Sequence, residues 1–206
     1  MPFQNRVLPT GDIRAIPARG TLTGNRGIIH RDDKTLGTSR WSHHAWICCT
    51  LDWQARRRPV MTGRNWTELF FLDEAVALAA GHRPCGYCRR AAYRDYVDAW
   101  TIATGTRPSA KDMDRALHPA RVRRDRSQVR YQAAIGELPN GAMVMQNATP
   151  SLVWNSAIYP YDPTGYGPAI DAKMETIVSV LTPKPTVMTL HAGYLPQIHQ
   201  TIAANR

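Results

Sequence analysis

The sequence predicts an α+β protein, and three observations carry that prediction. The first is an aromatic, apolar run, "WSHHAWICCTLDW" (Trp41 to Trp53), that reads as a strand. The second is a short Ala-rich segment, Ala75 to Ala80, with Asp73 at the N-cap position and Glu74 in the first turn. The third is a change of character after Gly136: "ELPNGAMVMQ" and "SLVWNSAIYPYDPTGYG" alternate polar and apolar residues between Pro, Gly and Asn turns, as a small β module does.

The elements follow in order. Residues 1–40 are rich in Gly, Pro and Arg and are expected to form a loop-rich segment with short strands, with turns at "PTGD" and "TGNRG". A second strand is expected around Thr67 to Leu72, hairpin-paired with the first. The Ala-rich helix stops at Gly81, which suits a left-handed C-terminal residue, and Pro84 prevents its resumption. A longer helix is expected over Arg89 to Thr104, with Ala92, Tyr93, Tyr96, Val97 and Trp100 at helical spacing. Another covers Ala110 to His118, opened by Ser109. The basic run "RVRRDRSQVRYQ" is compatible with helix or loop, and a hairpin-like turn is expected at Pro139-Asn140-Gly141. The last segment, Ile177 to Ile202, reads as strand, short helix and loop. The expected organisation is therefore 1–40, a core at 41–104, a basic helical segment at 105–135 and a β module at 136–206.

That last segment echoes the Ala-rich one. At constant offset, Leu78, Ala80, Gly81 and Pro84 align with Leu190, Ala192, Gly193 and Pro196, while Cys85 and Cys88 face Gln197 and Gln200. A duplicated unit without its cysteines and convergence on a common strand–helix–Gly arrangement both account for this.

Charge is uneven. Of the net +10, residues 1–130 hold 23 Lys+Arg against 12 Asp+Glu, whereas residues 131–206 hold 3 against 4. The excess sits on the part that contains the cysteines, and a polyanion partner or a merely soluble basic surface would each explain it. No apolar run approaches the roughly 18 residues of a membrane span, and the N-terminus lacks the apolar core of a secretory signal. A cytoplasmic protein without membrane contact is expected. Phosphate-binding-loop, dinucleotide and Ser-hydrolase motifs are absent.

Four cysteines in such a chain suit metal ligation or reactive thiols better than disulfides. Cys85 and Cys88 form a Cys-x-x-Cys, a spacing that chelates one Zn²⁺ when two more N or S ligands are present. A thioredoxin-type pair wants this motif at a helix start after a strand, whereas here it follows a helix and a Gly–Pro break. Candidates for the remaining ligands are Cys48 and Cys49, with His43, His44 and His82 as alternates. On a strand Cys49, Ile47 and His43 share one face, and Cys48, Trp46 and His44 the other. The flanking Arg83, Arg89 and Arg90 argue against a dry core location for the pair.

The run "EAVALAAGHRPCGYCRR" resembles the metal-binding N-terminal domain of the Ada family of DNA alkylation-repair proteins. Ala80, Gly81, Arg83, Pro84, Cys85 and Cys88 match that family's motif residue for residue. His82 stands at its aromatic position, and Trp46 to Cys48 resembles its strand into the first ligand. The resemblance spans about residues 41–90. It implies a small zinc core of hairpin and short helices, with Cys48, Cys49, Cys85 and Cys88 as ligands, and contact with DNA. The chain departs from the family in having Cys48 and Cys49 adjacent, where the family separates its first two cysteines by three residues. It also carries the longer insertion "DWQARRRPVMTGRNWTEL". Methyl transfer, which the family performs with one zinc-bound cysteine, is not carried over, because no position matches the acceptor unambiguously.

The residues expected at a nucleic-acid surface are Arg56, Arg57, Arg58, Arg83, Arg89 and Arg90, with Trp53, Trp66 and Tyr87 available for stacking. The expected function is a zinc-binding protein that contacts nucleic acid, DNA first, through this face. An enzyme is the alternative: a zinc-held thiolate as alkyl acceptor, or a metal-assisted hydrolase using Asp114 and His118, which share a helix face. A structural or protein-interaction zinc module is the third. For Asp114 and His118 the plainer reading is a helix-surface ion pair. "GNRG" (Gly24 to Gly27) reads as an anion-binding nest or a tight turn.

Overall fold

The computed structural model describes residues 1–55, 59–63 and 65–204. Over these residues it is an α+β structure of two six-stranded sheets and five α-helices. The first sheet contains β1 (Gln4–Val7), β2 (Ile13–Ala15), β3 (Leu22–Asn25), β4 (Ile47–Thr50), β5 (Leu69–Phe71) and β6 (Arg83–Pro84), in the order β2-β1-β5-β3-β4-β6. The second contains β7 (Tyr131–Ala134), β8 (Met143–Gln146), β9 (Thr149–Trp154), β10 (Ala157–Asp162), β11 (Gly165–Tyr166) and β12 (Ile177–Val180), in the order β11-β10-β9-β8-β12-β7.

Three expectations about strands change. β4 and β5 are not a hairpin: β3 lies between them, antiparallel to both, with Gly24 opposite Cys48 on one side and Leu69 on the other. Gly24 permits this close approach, since a Cβ there would meet the Ile47 carbonyl oxygen at 2.2 Å. The strand from Trp41 to Trp53 shortens to Ile47–Thr50, because Ser42 N–H donates to the Arg26 carbonyl and Trp46 N–H to that of His44, curling the approach. The Pro139-Asn140-Gly141 turn exists, closed by Ala142 N–H on the Pro139 carbonyl, but it joins strands that do not pair; β7 and β8 flank β12. The hairpin turns are at Asn147-Ala148 and Asn155-Ser156, where both central residues have positive φ, as a primed turn requires.

Helix α1 (Glu74–Ala79) is buried on every side. Asp73 caps it, accepting from Val76 N–H. Its alanines share one apolar core with Val7, Leu22, Phe71, Met143, Leu152, Tyr159 and Leu181, so residues of both sheets pack around it. A second cluster joins α2 (Arg90–Thr104), α3 (Ala110–Arg121) and α4 (Lys184–His191) through Tyr96, Trp100, Met113, Leu117 and Leu190. Ser109 and Asp112 form the capping box that opens α3. The short α5 (Thr201–Ala204) closes the described chain.

The two aligned helix ends have the same geometry. Gly81 and Gly193 have φ of +83° and +106°. In each, the glycine N–H bonds three residues back (Leu78, Leu190) and the next N–H five residues back (Ala77, Thr189). They differ in what they touch. A Cβ at Gly193 would meet nothing within 4 Å, while one at Gly81 would lie 2.4 Å from Cδ of Arg121. Gly193→Ala is therefore expected to cost only the left-handed strain, about 1–2 kcal/mol. Gly81→Ala is expected to cost more, because the buried Arg121 must also move. Urea unfolding of the two variants side by side measures the difference, and equal losses would remove Arg121 from the account.

Candidate metal centre

Strand β4 delivers two adjacent cysteines to opposite faces. Cys48 points into the main core, fully buried. Cys49 points the other way, where β6 runs parallel to β4 and hands the chain to a turn: Cys85 N–H donates to the Cys48 carbonyl at 3.0 Å, and Arg89 N–H to that of Cys85 at 3.1 Å. The Gly81 stop thus sets the direction in which Cys85 and Cys88 arrive. The sulfur atoms of Cys49, Cys85 and Cys88 all lie within 4.8 Å of one another, a group that could hold a metal ion. Cys85 is buried, while Cys49 and Cys88 are half-buried.

The three thiols are electrostatically unequal. Hydrogen bonds from the Cys49 and Cys88 thiols, and from the backbone N–H groups of Cys88 and Tyr87, hold Cys85 far down, at about 2, against the opposing effect of burial. Cys49 is pushed up, first by its hydrogen bond to Cys85. Cys88 is also pushed up: its hydrogen bond with Cys49 lowers it, but its hydrogen bond with Cys85 and burial outweigh that.

Among the described residues no fourth ligand joins this group. Cys48 is excluded by strand parity. Burial, then the charge of Glu74, pushes its thiol up to about 12, and it accepts a hydrogen bond from Arg89 at 3.2 Å. His44 stacks on His118, ring centroids 3.7 Å apart, and His43 lies on the same exposed approach to β4. His82 is fully buried against Phe71 and Trp46 and accepts from Arg26; burial, then the charge of Arg26, holds it well below its usual value. Each of the three histidines has a different structural position from the sulfur group.

The arginines beside the Cys-x-x-Cys turn inward, which corrects their assignment to an exposed basic face. Arg83 makes two 2.8 Å bonds to the carboxylate of Asp114, and Arg89 two 2.8 Å bonds to that of Glu74. Both pairs are buried, with both carboxylate oxygens engaged. An arginine next to a cysteine is thus no sign of a wet surface when a distant carboxylate waits inside. Arg90 is exposed, and Arg56, Arg57 and Arg58 lie outside the described residues. The Asp114–His118 acid–base pair does not form, since Asp114 is committed to Arg83, while His118 contacts His44 and Arg121.

Glu74 ties the centre to the end of the chain. It also accepts from the Tyr194 hydroxyl at 2.6 Å and from Gln197 N–H at 2.9 Å, while its own N–H donates to the Gln197 carbonyl. Sequence reading missed this residue as part of the site; the signal was a carboxylate in an otherwise apolar, buried helix. Trp53 and Tyr87 pack edge to face, ring centroids 5.3 Å apart. No helix among the described residues is long and apolar enough to cross a membrane. No family model, curated protein or solved structure matches the chain.

Proposed function

We propose that this chain is a zinc-binding protein that contacts nucleic acid. The observation that carries the reading is the convergence of Cys49, Cys85 and Cys88 from two distant segments. Four-coordinate zinc with Zn–S bonds of about 2.3 Å separates its sulfurs by roughly 3.8 Å, which the 4.8 Å grouping accommodates. Soft thiolate donors favour zinc over magnesium or calcium. When bound, zinc would stabilise the three thiolates and tie β4 to the turn before α2. The Ada-like motif supports the same choice of metal, with three cysteines here rather than four.

The nucleic-acid half rests on charge. The excess of 23 Lys+Arg over 12 Asp+Glu in residues 1–130 remains after Arg83 and Arg89 are set aside as internally paired. Among the described residues, exposed Arg90, Arg94, Arg115, Arg123 and Arg124 have no such engagement with buried carboxylates, Arg115 pairing only with the exposed Asp112. Half-buried Cys49 and Cys88 favour a second reading, the metal-held thiolate as an alkyl acceptor, which mass spectrometry after exposure to methylated DNA would detect as a gain on one of them.

Metal analysis combined with fluorescence anisotropy tests the main reading. One zinc per chain is expected, lost in Cys85→Ser. Single-stranded or duplex DNA should bind with log K falling linearly in log salt, by about tenfold or more between 50 and 200 mM. Absence of zinc removes the metal half; absent or salt-insensitive binding removes the other.

A further inference from the structure

A second site lies apart from the cysteines. A pocket of about 530 Å³ opens between the N-terminal strands, the loop before β4 and the segment after α3, and no cysteine lines it. Six arginines do: Arg14, Arg26, Arg40, Arg121, Arg126 and Arg130, against one acidic residue, Asp12. Such a concentration of one sign within a concave surface needs an explanation, because each guanidinium raises the cost of its neighbours.

Arg26 and Arg121 make the case specific. They are 2% and 3% exposed, and their guanidinium carbons lie 4.0 and 3.8 Å from the ring centre of Trp46. Among the described residues neither has a carboxylate within ion-pair distance, in contrast to Arg83 and Arg89. Arg26 donates to the uncharged Nε2 of His82 at 3.3 Å and to the Gly11 carbonyl only at 3.4 Å. Arg121 reaches the carbonyls of Gly81 and His44, while its buried Nε–H has no acceptor. Burial first, then the nearby arginines, lowers each to about 9, so both remain cationic at neutral pH. Asp12 and Asp114 act on Arg26 and Arg121 only from beyond ion-pair distance, and two buried cations so weakly compensated are costly unless something anionic completes them.

The rim supplies the rest. Arg126 and Arg40 are held by the carbonyls of Thr38 and Gly37, at 2.6 and 2.7 Å, which fixes their heads at the mouth. Half-buried Trp41 lines the same pocket and gives an aromatic surface beside the cationic floor. The volume falls in the range of small-ligand sites, about 300–1,000 Å³. Planar guanidinium donors match phosphate oxygens bidentately.

We infer that this pocket binds a nucleotide phosphomonoester, its phosphate held by the arginines that line the floor and mouth and its base against Trp41. The inference stands on the pocket and does not require the metal. It gives a location to the nucleic-acid contact if the phosphate is the 5′ end of a polynucleotide, and it stands without that contact if the ligand is a free nucleotide.

Isothermal titration of the full chain with adenosine, adenosine monophosphate and inorganic phosphate tests it. Anisotropy with a 5′-phosphorylated and a 5′-hydroxyl oligonucleotide distinguishes the two sources. The monophosphate should bind one site per chain at least tenfold more tightly than the nucleoside, or the 5′-phosphorylated strand at least tenfold more tightly than its 5′-hydroxyl counterpart. Arg26→Met should abolish the preference. Arg126→Ala, an exposed rim change that leaves the core untouched, should weaken phosphate-dependent binding by about threefold to tenfold even if Arg26→Met folds poorly. Binding of the monophosphate but of neither oligonucleotide would support the pocket while defeating the nucleic-acid reading. Equal affinity with and without phosphate in both arms, or preferences unchanged in Arg126→Ala, would overturn the inference.

Discussion

Incubation with excess chelator is expected to lower the melting temperature by about 10 °C and to free Cys49, Cys85 and Cys88 for rapid reaction with a thiol reagent. Cys48 should react only on global unfolding, since it is fully buried in the main core. The magnitude follows from linkage: a ligand present at about 1,000 times its dissociation constant stabilises the native state by about 4 kcal/mol. For a chain of this size each kcal/mol moves the midpoint by about 2–4 °C. The loss stays well short of complete unfolding, in contrast to isolated zinc fingers, because the apolar core around α1 draws on both sheets and does not depend on the metal. Differential scanning calorimetry with parallel thiol titration measures both effects. Four equally fast thiols, or a midpoint that chelator leaves unmoved, would contradict the three-sulfur assignment.

Removal of the Glu74 carboxylate is expected to be the most damaging single change away from the cysteines. Glu74→Ala leaves the Arg89 guanidinium buried without its partner and strips acceptors from Tyr194 and Gln197. Breaking a buried ion pair from one side costs about 3–5 kcal/mol. Arg89 follows Cys88 directly and also donates to Cys48, so the turn that carries two of the three sulfurs loses its anchor in the same step. The expected result is a fall in urea-unfolding free energy of that size together with weaker metal retention. Asp98→Ala, which breaks an exposed pair with Arg107, should cost well under 1 kcal/mol. A Glu74→Ala loss no larger than that of Asp98→Ala would show that the network contributes little.

What could be read in advance was what local chemistry decides. The Asp73 cap, the Gly81 stop, the Ser109 start of α3 and the helix over residues 90–104 all lie within a few residues of their own signals. Strand pairing was not local: β3, more than twenty residues before β4, takes the place that a hairpin would have filled. The cysteines were legible as a group but not as a set. Adjacent Cys48 and Cys49 must face opposite ways, and only the packing of α1 against one side of the sheet decides which one enters the core. Arg83 and Arg89 looked like surface because their carboxylates lie 31 and 15 residues away. The arginine pocket gathers residues from positions 14 to 130, and only the short "GNRG" run hinted at an anion.

The Tyr194–Glu74 bond spans 120 residues, and this has a consequence for biosynthesis. On the ribosome all three sulfur-bearing positions emerge long before Tyr194 and Gln197 are made. During that interval Glu74 has only Arg89 to neutralise it, and the turn carrying Cys85 and Cys88 lacks its outer brace. A nascent chain that has not yet reached Tyr194 therefore holds all three thiols without this clamp. Metal acquired then would be held by a looser cradle than in the folded chain, and the loop after α4 that carries Tyr194 and Gln197 would tighten a centre whose ligands came early.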